Sequence, residues 1–135
     1  MVRSILALLA VACVALSGCI IAAGNQVDAP PHRAQPTGRY SGAISAANSI
    51  SFSTDRAAAL KTIAAKPDLE VCDQHRIVRI ICDRRGFSTD NTEVALALIQ
   101  NPAIADSTRH MIGDNAARIA SYSADRTRLA SALAE

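Results

Sequence analysis

The sequence predicts an all-α protein, a short stack of two-helix repeats with a 35-residue period, following a signal peptide and a flexible tether. Two observations carry this. First, the 135 residues include only four aromatics, Tyr40, Phe52, Phe87 and Tyr122. A core of Ala, Ile, Leu and Val suits closely packed helices better than a sheet, where β-branched and aromatic residues dominate. Second, Phe52-Ser53-Thr54-Asp55-Arg56 returns as Phe87-Ser88-Thr89-Asp90-Asn91 and as Tyr122-Ser123-Ala124-Asp125-Arg126, 35 residues apart each time. The same register pairs Pro67 with Pro102, His75 with His110 and Ile77 with Ile112, and places Tyr40 in the histidine column. All four aromatics thus fall in two columns. A period in the mid-thirties is typical of two-helix units, which need about three stacked copies to bury a core.

The register divides the domain, residues 40–135, into repeats 52–86 and 87–121 and a half-repeat 122–135. Residues 40–51, with Ile44 and Ala47, are placed to supply a preceding half-repeat. After each aromatic-Ser-x-Asp come about ten helix-forming residues, 56–65 and 91–100 in the full repeats. Ser and Asp are both good N-caps, and Asp in a first turn complements the helix dipole. The motif therefore reads as a helix start, with the polar pair capping and the aromatic packed between neighbouring units. Pro67 and Pro102 end these first helices. In repeat two the second helix shows a mostly apolar stripe of Thr108, Met111, Ile112, Asn115, Ala116 and Ile119. The matching stretch of repeat one, 77–81, resembles a strand in isolation, but its alignment with that stripe makes it a helix. Cys72 and Cys82 would lie on this one helix about 15 Å apart. A disulfide needs Cα atoms within about 7 Å, so no bridge is expected, and Cys82 should pack as a small apolar residue.

The N-terminus has a different character. Arg3 is followed by an apolar run over residues 5–16, the length of a signal-peptide core and short for a bilayer span. It ends in Leu16-Ser17-Gly18-Cys19. These residues resemble the lipobox of the bacterial lipoprotein family, matching it at all four positions. The resemblance implies residues 1–18 as a signal peptide, cleavage between Gly18 and Cys19, a diacylglyceryl thioether on Cys19, and acylation (palmitate or similar) of the new amino terminus. Two or three acyl chains hold a protein on a membrane stably where one does not. By the same resemblance, Ile20 after the lipidated cysteine points to the outer membrane, facing the periplasm. Residues 19–39 contain Pro30, Pro31, Pro36, Gly24 and Gly38 and no sustained apolar period, which reads as a solvated tether. From Phe52 onward the chain is similar to bacterial secreted domains built of Phe-Ser-x-Asp helical repeats, which have no assigned activity. It lacks the aromatic, small and proline positions of tetratricopeptide repeats.

Chemistry-bearing patterns are few. Cys72, His75, Cys82 and His110 have zinc-compatible side chains, but no Cys-x2-Cys or His-x3-His pairing exists and Tyr40 shares the histidine column. That column reads as an amphipathic packing position, and no metal or cofactor is expected. Arg76, Arg79, Arg84 and Arg85 make one helix basic. Asp73 and Asp83 lie within helical reach of Arg76 and Arg79, giving a solvated face. The net charge of +2 gives no reason to expect nucleic-acid binding, which calls for a clustered basic surface. There is no Gly-x-Ser-x-Gly elbow, phosphate loop or His-Glu-x-x-His, so no catalytic residue is singled out and an enzyme is not expected. The reading favoured is a membrane-anchored envelope lipoprotein acting as a protein- or peptide-interaction module. The alternatives are a small-ligand or metal-binding lipoprotein using the histidine column, and a structural envelope component.

Overall fold

Ser53, Ser88 and Ser123 each open a helix, and the residue before each is an aromatic in extended conformation. A computed structural model describes residues 38–83 and 86–135. The signal peptide, Gly18, Cys19, nearly all of the tether, and Arg84 and Arg85 lie outside the described residues. Within them the chain is all-helical: α1 Ser41–Ser49, α2 Ser53–Ala64, α3 Val71–Asp83, α4 Ser88–Ile99, α5 Asp106–Asp114, α6 Ala116–Ile119 and α7 Ser123–Leu133. None is long and apolar enough to cross a membrane.

The helices lie in two layers. In one, α4 packs between α2 and α7; in the other, α3 packs between α1 and α5. Between the layers, Ile44, Leu60, Ile77, Val78, Ile81, Val94, Leu98, Ile112, Ile119 and Leu129 are almost wholly removed from water. Truncating one such residue to alanine costs about 2–5 kcal/mol, depending on how far the site collapses. Residues 40–51 do supply a helix, α1, which buries Ile44 and Ala47. The strand-like stretch 77–81 lies within α3 and buries Ile77, Val78, Ile80 and Ile81. The helices α2 and α4 end three residues before Pro67 and Pro102, because a residue preceding proline is pushed away from the α region.

Buried polar side chains tie the loops together. Gln74 is fully satisfied: its amide donates to the Leu69 and Ala103 carbonyls at 2.9 and 2.8 Å, and its oxygen accepts from the Ala105 amide and the Thr108 hydroxyl at 3.0 and 2.8 Å. Asn101 donates to the Ala64 and Lys66 carbonyls at the C-terminus of α2 and accepts from the Ala103 amide. It satisfies carbonyls that a helix end leaves unpaired. Tyr40 donates its amide to Asp73 at 2.9 Å. This close approach requires a glycine two residues earlier, since a Cβ on Gly38 would fall 2.3 Å from the Asp73 carboxylate.

Four expectations are corrected. Ser and Asp of the motif do not cap: Phe52, Phe87 and Tyr122 occupy the N-cap positions without a side-chain cap bond. Each aspartate sits in the first turn, where it still complements the dipole. The aromatics are not packed between units: Phe52, Phe87 and Tyr122 are 76%, 68% and 67% exposed. An N-cap residue in extended conformation projects its side chain past the helix end, and the isoleucine and leucine columns already fill the interior. The helix expected over 108–119 breaks at Asn115, whose backbone leaves the α region and whose side-chain carboxamide donates to the Met111 carbonyl. Finally, Asp73 and Asp83 do not pair within α3. Asp73 is buried against Tyr40, Asp83 meets Arg118 at 3.8 Å, and Arg76 reaches Ser41 and Ser45 on α1.

Candidate functional site

The exposed aromatics share one edge of the molecule. They sit at the N-termini of α2, α4 and α7, neighbours in one layer. A row of three rings, each more than two-thirds exposed, is unusual in a chain with four aromatics. Large apolar side chains gathered on one surface mark interaction sites, whereas scattered ones need no explanation.

Polar bonds between neighbouring helix starts hold the row. The Thr54 hydroxyl donates to Asp90 at 3.1 Å, and Thr89 donates to Asp125 at 3.4 Å. Ser88 does more: its buried hydroxyl donates to Asp125 at 3.0 Å and accepts the Ser121 amide at 2.8 Å. It thereby fixes the backbone that carries Tyr122 against the start of the helix that follows Phe87. Further along the same helices, Glu93 on α4 accepts from Lys61 on α2 at 3.0 Å and from Arg128 on α7 at 2.7 Å. Those bonds, from Arg128 foremost and then Lys61, hold the Glu93 carboxyl below its usual range.

Gly86 and Ser88, which flank Phe87 in the chain, and Ser121, which precedes Tyr122, join Cys82, Asn91, Arg118 and Ile119 in lining a cleft of about 230 Å³. Burial pushes the Cys82 thiol up, so it lines the wall as an uncharged, weakly polar group. Cys72 and Cys82 are both free and both lie on α3.

The histidine column does not converge. Tyr40 is half-buried and donates its hydroxyl to Asp68, which also pairs with Arg39. The Tyr40 hydrogen bond, ahead of Arg39, holds the Asp68 carboxyl below its usual range and raises the Tyr40 phenol. His75 meets Ser107 at 3.1 Å, while exposed His110 bonds the Asp106 carbonyl one turn back. Among the described residues, no three His, Cys, Asp or Glu side chains are grouped to hold a metal ion. No protein-family model, curated protein or solved structure matches the chain.

The exposed row escaped sequence reasoning, although the motif that carries it was found. Its signal was the position itself: a residue placed immediately before a Ser-x-Asp first turn is outside the helix, where burial is least assured.

Proposed function

We propose that the chain is a membrane-anchored envelope lipoprotein whose helical domain is an interaction module, with the edge formed by Phe52, Phe87 and Tyr122 receiving a protein or peptide segment. The observation that carries this is the exposure of those three rings at like positions on neighbouring helices. Rigid aromatics offer large contact area at small entropic cost, which is why they concentrate in interaction hot spots. We read the domain as repeats of 35 residues, supported by helix starts at Ser53, Ser88 and Ser123 and by hydroxyl–carboxylate bonds that recur from helix to helix. Helical stacks act through extended surfaces rather than reactive side chains. Lipid attachment at Cys19, cleavage after Gly18 and an outer-membrane, periplasm-facing position rest on the lipobox resemblance.

Photo-crosslinking side chains placed in living cells at 52, 87 and 122 should capture one discrete polypeptide. The same probe at Ala65 and Gln100, exposed positions after the far ends of α2 and α4, should not. Equal capture at both edges, or capture of lipid alone at the aromatic edge, would refute the module. The anchor is tested separately: the intact mass of the membrane-associated chain should show acyl additions at Cys19, lost in Cys19→Ala. A soluble, unmodified chain cut elsewhere would refute that part.

A further inference from the structure

Asn91 lines the cleft at a position where α2 buries an arginine. The fourth residue of α2 is Arg56 and that of α7 is Arg126, but that of α4 is Asn91. Arg56 is buried and donates to the Ile50 carbonyl at 3.1 Å, filling the space beside the start of α2. Asn91 is several atoms shorter. Its amide lies against Gly86, where a Cβ would stand 3.1 Å from Asn91 Oδ1, and both residues line the 230 Å³ cleft.

The lining gives this space a chemistry. Arg118 presents a guanidinium, Asn91 a carboxamide and Ser121 a hydroxyl, while Ile119 and Cys82 supply apolar wall. Ser88 is committed to Asp125 and Ser121, so it shapes the cleft rather than offering a donor. Arg118 has Asp83 at 3.8 Å, longer than a hydrogen bond, and both side chains are well exposed, 63% and 72%. Such a pair is worth little and leaves the guanidinium free to take a better acceptor. A planar fork of N–H donors matches a carboxylate in two parallel bonds. Arg118 supplies the positive charge of the described lining. The volume is below the roughly 300–1,000 Å³ of pockets that enclose a drug-sized ligand, so it takes a group the size of one residue.

We propose that this cleft binds a peptide carboxylate, with the adjoining apolar residues of the peptide lying across Phe87 and Tyr122. This rests on the interaction-module reading and names the chemistry its partner presents. The carboxylate belongs to a chain terminus or to an Asp or Glu side chain, and the probes separate these sources.

The test is an amide chemical-shift titration of the full chain in detergent with N-acetyl-phenylalanine, N-acetyl-phenylalaninamide and amidated N-acetyl-Phe-Glu. The acid should give saturable shifts at Ser88, Asn91 and Ser121, and the neutral amide at least about tenfold weaker ones, as loss of a charge-assisted pair implies. Shifts with Phe-Glu amide assign the side-chain source, and shifts with N-acetyl-phenylalanine alone assign the terminus. Arg118→Gln should weaken the acid at least about tenfold, and so should Asn91→Leu, which fills the cleft without adding a charge. Asp83→Asn should tighten binding by removing the competing carboxylate, an effect that a merely structural Arg118 would not produce. Equal binding of acid and amide, indifference to Arg118→Gln, or no binding would each overturn the carboxylate site. Crosslinking at 52 and 122 would still decide the aromatic edge independently.

Discussion

The hydroxyl of Thr54 hydrogen-bonds not to its own helix but to the carboxylate of Asp90, 3.1 Å away at the start of the next helix in the layer. Thr89 and Asp125 repeat the relationship at 3.4 Å. A residue type usually associated with capping thus links neighbouring helices, and the third copy, with Ala124, has no hydroxyl to offer. In a double-mutant cycle, Thr54→Val and Asp90→Ala should couple by about 0.5–1.5 kcal/mol in urea denaturation. Additive losses would show that the bond contributes nothing.

Gln74 should be the most sensitive polar residue of the core. Replacing it with alanine leaves the Ala105 amide, the Thr108 hydroxyl and two carbonyls without their partner. Each such buried group costs about 1–3 kcal/mol, so Gln74→Ala should destabilise by about 3 kcal/mol or more. Gln74→Glu keeps the shape but cannot donate while ionised. Its penalty should therefore shrink as the pH falls and the carboxyl protonates, a trend readable in thermal melts.

Phe52→Ser and Phe87→Ser should change stability by no more than about 0.5 kcal/mol, the usual range for surface sites. Phenylalanines packed in a core would lose about 3–5 kcal/mol on truncation. Equilibrium unfolding separates the two outcomes, and the variants should also be the less prone to self-associate.

What could be read from the sequence was the part that depends on local pattern. A helix start at each aromatic-Ser-x-Asp motif, though not its cap residue, the stops before Pro67 and Pro102, and burial of Ile77 and Ile112 follow from spacing and backbone restriction along the chain. The site was legible only in pieces. Phe52 and Phe87 are hydrophobic and recurrent, and those properties normally mean burial; their exposure follows from standing one residue outside the helix. Gln74 and Asn101 bond to loops far along the chain, which no periodicity announces. Asn91 stands where α2 carries the buried Arg56, but whether a shorter side chain leaves a cleft depends on neighbours that the sequence does not place.

Thiol chemistry offers a check on α3. Cys72 and Cys82 should both alkylate without prior reduction, giving the same mass before and after a reductant. Burial raises the Cys82 thiol, so less thiolate is present at neutral pH, and the thiolate is the reactive form. Its alkylation should accelerate only as the solution becomes distinctly alkaline. A chain that takes up two fewer alkyl groups before reduction than after it would mean a bridge, and α3 could not then be continuous over 72–82.

The bonds around Tyr40 bear on how the domain takes mechanical load. Arg39 and the Tyr40 hydroxyl hold Asp68, the Tyr40 amide holds Asp73, and Arg76 holds the Ser41 carbonyl and the Ser45 hydroxyl. A pull on the chain from its N-terminal side meets these contacts first, clustered within a few residues of Gly38. They share the force in parallel, so α1 resists peeling until several yield together. Force entering at Gly38 is thus borne first by the bonds to Asp68, Asp73 and Arg76, and only then by the helices α2, α4 and α7 that carry the aromatic edge.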